Sequence, residues 1–221
     1  MPVTVSDEEF KQFRDLIYDA SGINFTSSNR SILESRLRER LRSSGTESVA
    51  DYYRWIRRDP EEMKVLLDTV TTNLTRFFRN TAHIQTFEHA VLPDLIEYKR
   101  RTGSQTLRMW SAGCSTGEEP YTMAMVAREL VPPTITISIT ASDISLKSLM
   151  VGRQGRYPES RVDHVPEKYL RKYFTSKPAG YQINEEIMNL VKFDYHNLKN
   201  DSGLRDLDVV FCRNTLIYFD E

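Results

Sequence analysis

The chain of 221 residues contains little cysteine and no long apolar run. Its two cysteines, Cys114 and Cys212, lie far apart and lack the Cys/His spacing of a zinc site, which favours a reducing compartment. Nowhere do about eighteen apolar residues follow one another, and the first residues form neither a basic nor an apolar signal region. We therefore expect a soluble, cytoplasmic protein that is neither exported nor inserted into a membrane.

A charge excess of either sign is absent too, because 30 lysines and arginines balance 31 aspartates and glutamates. A net charge of -1 gives no general attraction to nucleic acid or anionic lipid, so a local patch must meet any charged partner. The histidines are too scattered to form a metal site: they are His83, His89, His164 and His196. The sequence thus predicts neither a metal nor a nucleic acid partner.

The first 75 residues have the pattern of an all-helical domain. Ser6 and Glu9 form a capping-box pair, apolar residues then recur at helical spacing, and Gly22 is placed to end the helix. Asp59 and Pro60 separate two later helices, since proline suits a first helical turn and disfavours helical geometry in the residue before it. The predicted helices span residues 6–21, 29–43, 48–58 and 60–72, and a longer one spans 83–101.

The remainder of the chain alternates short, β-rich apolar segments with helical or loop stretches. This alternation is typical of a mainly parallel sheet flanked by helices. Within the irregular stretch 152–189, the segments KYFTS and GYQIN flank residues 177–180 and predict a hairpin. The predicted strands of the main sheet span 107–110, 135–143, 190–193 and 207–212.

The first of these strands runs into SAGCSTGEEPY (111–121), a turn of small residues followed by two acids and a proline. Small residues allow backbone amides to approach a ligand, but Glu118 and Glu119 disfavour a pyrophosphate. A cationic ligand such as S-adenosylmethionine fits better. Asp143 ends the second strand, where an acid can bind ribose hydroxyls, and capping of the following helix is its alternative role.

Five segments, in order along nearly the whole chain, resemble successive motifs of the CheR-type chemotaxis receptor methyltransferases. They are TTNLTRFFRN (71–80), MWSAGCSTGEEPYTMA (109–124), ASDIS (141–145), VKFDYHNL (191–198) and FCRNTLIYFD (211–220). The resemblance implies an α/β fold, in which an N-terminal all-helical domain precedes a doubly wound, Rossmann-like methyltransferase domain with a small inserted antiparallel β-subdomain. The expected boundaries are 1–75 and 76–221 for the two domains and about 165–192 for the insertion.

The same resemblance implies an S-adenosylmethionine-dependent protein-glutamate O-methyltransferase that serves signal adaptation in chemotaxis. Such an enzyme converts receptor glutamates to methyl esters and releases S-adenosylhomocysteine. The expected partner is the cytoplasmic domain of a methyl-accepting chemotaxis receptor, whose C-terminal tether peptide is a candidate ligand of the β-subdomain, and the enzyme is expected to be a monomer. A glutamate carboxylate is ionised at neutral pH, so methylation requires positioning and desolvation instead of a general base.

Carried over motif by motif, the resemblance implies cofactor contacts from Asn73, Thr75, Arg79, Glu118, Asp143, Asn197, Leu198, Arg213 and Asn214. It also implies that Tyr218 is the catalytic tyrosine. For orienting the acceptor carboxylate we choose Arg79, because a guanidinium can pair with a carboxylate in two-pronged geometry, with Tyr218 as the donor to its second oxygen. Capping of the next helix is the alternative for Asn73 and Thr75. A structural ion pair is the alternative for Arg213.

Receptor recognition is expected of the second helix, whose segment NRSILESRLRERLR is rich in arginine. Leu33, Leu37 and Leu41 form its buried stripe on a helical wheel, and arginines flank that stripe. The family's receptors present acidic helical bundles, as the resemblance implies, whereas an ordinary solvated helix face is the alternative. The candidate recognition residues are Arg36, Arg38, Arg40 and Arg42.

Two other functions fit parts of the sequence. A methyltransferase for nucleic acid or a small molecule is disfavoured by the neutral charge and by RNTLIYF, which lacks the Asn/Asp-Pro-Pro-aromatic motif of amino-methylating DNA enzymes. A module that senses S-adenosylmethionine without turnover is disfavoured by the joint presence of Arg79 and Tyr218.

The resemblance also implies further sheet elements beyond residue 221. Without them we expect an exposed sheet edge and poor solubility.

Overall fold

A computed structural model describes residues 4–71 and 74–219, with the backbone alone at Tyr218. The first helices are α1 (Asp7–Ser21), α2 (Arg30–Ser44), α3 (Val49–Ile56) and α4 (Pro60–Val70), with a 3-10 turn (Ser27–Asn29) before α2. The predicted capping box of Ser6 and Glu9 starts α1, and Gly22 ends it in the left-handed conformation. Local sequence signals therefore set the bounds of these helices closely.

The N-terminal helices enclose an apolar core of their own, whose buried members lie between Val5 and Val70. Phe13 of α1 stacks on Tyr52 of α3, with ring centroids 5.8 Å apart. The stripe predicted for α2 is confirmed, because its three leucines are all buried in this core: Leu33, Leu37 and Leu41.

A charged cluster lies beside this core and includes Arg40 of α2, which was predicted to recognise the receptor. Arg40 donates through Nε and Nη2 to the Glu62 carboxylate of α4 at 2.7 to 2.9 Å. The Tyr52 hydroxyl donates to the same carboxylate at 2.6 Å. The side chains of Arg40 and Glu62 are only 13% and 7% exposed. Because its flank of α2 packs against α4, Arg40 is an internal partner of Glu62 and does not belong to an exposed recognition face.

The long helix predicted over 83–101 consists of three helical segments in succession. They are α5 (Thr81–Thr86), a π-helical turn (Phe87–Val91) and α6 (Leu92–Thr102). Pro93 lies in the first turn of α6 and has no amide hydrogen, so it cannot complete the α-helical ladder, which accounts for the wider turn before it. Gly103 follows α6 in the left-handed conformation, as its placement indicates.

The second part of the chain is an α/β domain built around a parallel sheet. Its strands are β1 (Thr106–Ala112), β2 (Thr136–Asp143), β3 (Arg156–Tyr157), β4 (Phe174–Lys177), β5 (Gly180–Ile183), β6 (Val191–Tyr195) and β7 (Val209–Phe211). Its helices after α6 are α7 (Glu118–Leu130), α8 (Leu146–Gln154), α9 (Glu159–Val162), α10 (Glu167–Tyr173) and α11 (Glu185–Met188), and a 3-10 turn (Leu216–Tyr218) follows β7. The main sheet has the order β6-β2-β1-β7, with every pair parallel. The predicted fold class is confirmed.

A separate antiparallel sheet has the order β3-β5-β4. Its strands β4 and β5 form the hairpin predicted around residues 177–180, with Pro178 and Ala179 in the turn. The first strand, β3, pairs Tyr157 with Tyr181 of β5, so this sheet begins before the expected start of the insertion near residue 165.

Among residues 4–71 and 74–219, no helix combines the length and the apolar character needed to cross a membrane.

Replacing Arg40 by alanine should lower the free energy of unfolding by ~3 kcal/mol, because Glu62 would keep a buried charge without its partner. Urea unfolding followed by circular dichroism measures the change. Arg36, whose side chain is 42% exposed beside Glu39, is the matched control. Its replacement by alanine should cost less than about 0.5 kcal/mol. Equal effects at the two positions would contradict the buried ion pair.

Candidate active site

A cavity of about 370 Å³ lies between the helical domain and the carboxyl ends of the main sheet. Its walls come from the loop after α1, the linker segment of residues 74–79, the turn after β1 and the ends of β2, β6 and β7. Doubly wound sheets bind ligands at the carboxyl ends of their strands, where the strand order reverses. The cavity lining includes these residues predicted from sequence: Thr75, Arg79, Asp143, Asn197, Leu198, Arg213 and Asn214.

The turn after β1 is held tightly against its neighbours. The amides of Gly113 and Cys114 donate to the Ser142 carbonyl of β2 at 2.8 and 2.9 Å. Gly113 has a φ of 77°, and a Cβ at this position would collide with the side chain of Thr215. Glycine is therefore required at this position for two reasons. Other residues rarely adopt this left-handed backbone conformation, and their Cβ would clash with Thr215 in the segment after β7.

Asp143 ends β2, and its carboxylate joins the turn to the next helix. Oδ2 accepts from the Ser115 amide at 2.7 Å, and Oδ1 accepts from the Ser145 amide at 2.9 Å. The residue is 8% exposed, and burial raises the pKa of its carboxyl above the usual value. Ser145 caps α8 with its own hydroxyl, so the capping role that was the alternative for Asp143 falls to Ser145.

The two acids at the start of α7 face in different directions. Glu118 is fully buried outside the cavity lining, where it accepts from Arg161 at 2.8 Å and from the Thr116 hydroxyl at 2.6 Å. Glu119 lines the cavity and lies 3.4 Å from Arg213. Successive helical residues point about 100° apart, so one of the pair faces the cavity and the other does not. Glu118, which was predicted to contact the cofactor, therefore does not line the cavity, whereas its neighbour Glu119 does.

Two arginines lie beside Glu119 in the cavity wall. Arg213 pairs with Glu119 and also donates through Nη2 to the Arg79 carbonyl, so the ion pair that was its alternative role is present. Arg79 donates through Nη1 to the Leu74 carbonyl at 2.5 Å, which closes the linker segment into a loop. Burial raises the pKa of Glu119 and lowers that of Arg213. The cavity therefore presents charges of both signs.

The residues after β6 tie the sheet to the end of α1. Asn197 donates through Nδ2 to the Ala20 carbonyl at 2.8 Å. Lys199 donates through Nζ to the Asp19 carbonyl at 2.8 Å. Since Asn197 and Leu198 also line the cavity, this loop sets how the helical domain covers the sheet.

The helical domain makes a contribution to the cavity that the sequence did not reveal. Gly22 indicated a turn after α1, but no local pattern indicates which surface that turn faces. The lining residues between the end of α1 and the first turn of α2 are Ser21, Ile23, Asn24, Phe25, Asn29 and Ile32. Two predicted site groups, Asn73 and the side chain of Tyr218, lie outside the described residues.

The fold and the cavity together define a class of protein. Asp143 and Glu119 offer carboxylates, and Arg79 and Arg213 offer guanidinium groups, to one space at the end of a doubly wound sheet. Such a space suits a ligand that combines a ribose with an ammonium and a carboxylate. Among the described residues, the buried Nε of Arg213 has no hydrogen-bond partner and remains available as a donor. These features fit S-adenosylmethionine and the methyltransferases that use it.

The chain belongs to the CheR methyltransferase family. Residues 8–71 match the CheR methyltransferase all-alpha domain, and residues 73–221 match the CheR methyltransferase SAM binding domain. The family that the sequence motifs predicted is thus confirmed, and S-adenosylmethionine is the methyl donor that the second domain binds.

Several curated relatives are similar over almost the whole chain. The chemotaxis protein methyltransferase of Borreliella burgdorferi is 33% identical over 99% of this chain and 80% of its own length. Chemotaxis protein methyltransferase 2 of Vibrio cholerae is 34% identical over 99% of this chain and 78% of its own length. Chemotaxis protein methyltransferase 2 of Pseudomonas aeruginosa is 37% identical over 97% of this chain and 77% of its own length.

Replacing Asp143 by alanine should weaken S-adenosylmethionine binding by ~1 to 3 kcal/mol, the scale for losing hydrogen bonds to a charged group. Calorimetric titration measures the dissociation constant. Asp201, an exposed acid paired with Arg205 outside the cavity, is the control, and its replacement by alanine should leave the affinity unchanged. An unchanged affinity in a folded Asp143→Ala protein would restrict Asp143 to holding the turn.

Proposed function

We propose that this protein transfers the methyl group of S-adenosylmethionine to glutamate side chains in the cytoplasmic domain of a chemotaxis receptor. The observation that carries the proposal is the cavity, in which acids and arginines meet at the carboxyl ends of a doubly wound sheet. Relatives called chemotaxis protein methyltransferase cover nearly the whole chain, which supports the same activity. A receptor's cytoplasmic domain as substrate places the reaction in the cytoplasm.

The cofactor would be held by side chains from both sides of the cavity. Asp143 suits the ribose hydroxyls, because its carboxylate has lone pairs beyond the two that accept backbone amides. Glu119 suits the ammonium and Arg213 the carboxylate of the methionine part. The proposed contacts are Thr75, Arg79, Glu119, Asp143, Asn197, Leu198, Arg213 and Asn214. Asn73 stays a prediction from its motif.

The acceptor glutamate would be oriented by Arg79. Its planar guanidinium can pair with a carboxylate in two-pronged geometry, and the bond to the Leu74 carbonyl limits its freedom. When bound, S-adenosylmethionine supplies a methyl group on a sulfonium. The protein's task is to exclude water and align the ionised carboxylate, since no proton has to be removed. Tyr218 is proposed as a second donor to the acceptor on the basis of its motif.

The receptor would bind along α2. Ile32 in the first turn of α2 lines the cavity and is 47% exposed. With a rise of about 1.5 Å per residue, Arg42 lies roughly 15 Å farther along the same helix. An acidic receptor helix lying on α2 would therefore meet arginines while one of its glutamates reaches the cavity. After the correction for Arg40, the proposed recognition residues are Arg36, Arg38 and Arg42.

The two domains would divide these tasks at residues 75 and 76. Two separate apolar cores support this division: one lies within residues 5–70 and the other within residues 77–209.

The small sheet offers β4 as an edge strand, and an extended peptide can add to such an edge. We propose this edge as the place where a receptor's C-terminal tether peptide would bind.

Transfer of a radioactive methyl group tests the proposed function directly. The protein is incubated with methyl-tritiated S-adenosylmethionine and membranes that contain chemotaxis receptors. Label should appear on the receptors and should be released as methanol in mild alkali, because methyl esters hydrolyse there. Alkali-stable label would indicate methylation of nitrogen, and cofactor binding without transfer would favour the sensor function.

Changing Arg38 and Arg42 together to glutamate should raise the KM for receptor by about tenfold without changing the affinity for cofactor. Increasing salt should reduce the difference from the unchanged protein, because the charges are exposed. Steady-state methylation at two ionic strengths measures both effects. The matched control changes Arg54 of α3 and Arg58, which follows that helix, to glutamate, because both are exposed. Equal KM values in all three proteins would make α2 an ordinary solvated helix.

A further inference from the structure

We infer that Arg161 is a positioning residue for methyl transfer. It joins the small antiparallel sheet to the start of α7, directly after the turn that follows β1, and to the linker segment of the cavity. The inference rests on the proposed function. Arg161 lies in α9, between β3 and β4, and its side chain is 40% exposed. It lines neither the cavity nor the proposed receptor surface, so any effect on turnover must pass through the residues that it holds.

One guanidinium nitrogen of Arg161 has two acceptors on separate parts of the chain. Nη1 donates to Glu118 Oε1 at 2.8 Å and to the Thr75 carbonyl at 3.3 Å. Glu118 is the first residue of α7, and Thr75 belongs to the linker segment. A single side chain therefore fixes the linker segment against α7, the helix that follows the turn after β1.

Glu118 depends on this contact because it is fully buried. Its other oxygen accepts from the Thr116 hydroxyl at 2.6 Å, and burial raises its pKa while Arg161 opposes that shift. The small antiparallel sheet also contacts the turn after β1 directly. The Tyr157 hydroxyl of β3 donates to the Thr116 carbonyl at 2.7 Å. The small sheet and α9 thus hold the turn after β1 and the start of α7 through one charged and one neutral contact.

The linker segment is held at three successive points. Thr75 is bound by Arg161, and the Phe78 amide donates to the Thr122 hydroxyl of α7 at 3.1 Å. Between them, Phe77 is fully buried against the rings of Tyr157 and Phe174, with centroids 4.9 and 5.4 Å away.

Arg79 follows directly after these anchors and reaches back to the carbonyl of Leu74, the neighbour of Thr75. The Arg161 contact therefore fixes the beginning of the loop that places the Arg79 guanidinium. A displacement of about 1 Å at a residue that orients substrate can reduce turnover by up to a hundredfold.

Loss of Arg161 should have two effects that can be separated. The Glu118 charge would remain buried without its cation, which lowers stability. The Thr75 carbonyl would lose its donor, which frees the loop that places Arg79. Replacing Glu118 by glutamine in the same protein removes the unpaired charge and so cancels the first effect. It leaves the second effect in place.

The experiment compares Arg161→Ala with the double variant Arg161→Ala/Glu118→Gln. We expect the single variant to melt at a lower temperature and to show a kcat about tenfold lower, with an unchanged KM for receptor. The double variant should regain the melting temperature and keep the low kcat. Binding of S-adenosylhomocysteine, measured by calorimetry, should be weakened to a similar degree in both proteins, since Thr75 and Arg79 line the cavity.

Arg128→Ala is the matched control, because Arg128 lies on α7, is 46% exposed and pairs with Glu186 at 3.8 Å. Its kcat and affinity for S-adenosylhomocysteine should equal those of the unchanged protein. Return of kcat and affinity together with stability in the double variant would overturn the inference and leave Arg161 as a counter-ion only. If the unchanged protein methylates no receptor, the proposed function fails, whereas the affinity for S-adenosylhomocysteine still tests the role of Arg161.

Discussion

Burying a carboxylate is costly unless amides or cations stabilise it, and three such groups meet at the carboxyl end of this sheet. Asp143 is held by two backbone amides, Glu118 by Arg161, and Glu119 by Arg213. Burial raises the pKa of all three. The partners that each acid needs fix the turn after β1, the start of α7 and the segment after β7, so the shape of the cavity follows from stabilising these charges.

The parts of the fold that local rules determine could be predicted from the sequence. Capping residues and glycines set the bounds of α1 and α2, and short β-rich runs marked the four parallel strands. Asp143 could be placed at the site because an acid at the end of a parallel strand lies where such sheets bind ligands. These inferences need only the period of a helix or strand and the direction of a strand.

Other features depend on contacts between distant residues and could not be predicted in this way. The choice between Glu118 and Glu119 depends on how α7 is rotated against the sheet, which the sequence of the turn does not fix. In sequence Arg40 resembles the other arginines of α2, and only its contact with Glu62 of another helix distinguishes it. The loop after α1 covers the cavity through bonds from Asn197 and Lys199, almost the whole chain away. Each is a tertiary effect that leaves no local pattern.

In the proposed site, buried and ionised carboxylates hold a cationic cofactor, so their protonation should govern the affinity for that cofactor. Because burial raises the pKa of Asp143 and Glu119, these groups take up protons at a higher pH than ordinary acids. A cationic ligand favours their ionised forms, so its affinity should be full near neutral pH and fall as the pH decreases. Calorimetric titration with S-adenosylmethionine from neutral pH down to the onset of acid unfolding should show this weakening, and an Asp143→Asn/Glu119→Gln protein should bind weakly with little pH dependence. An affinity that stays constant over this range in the unchanged protein would contradict the account.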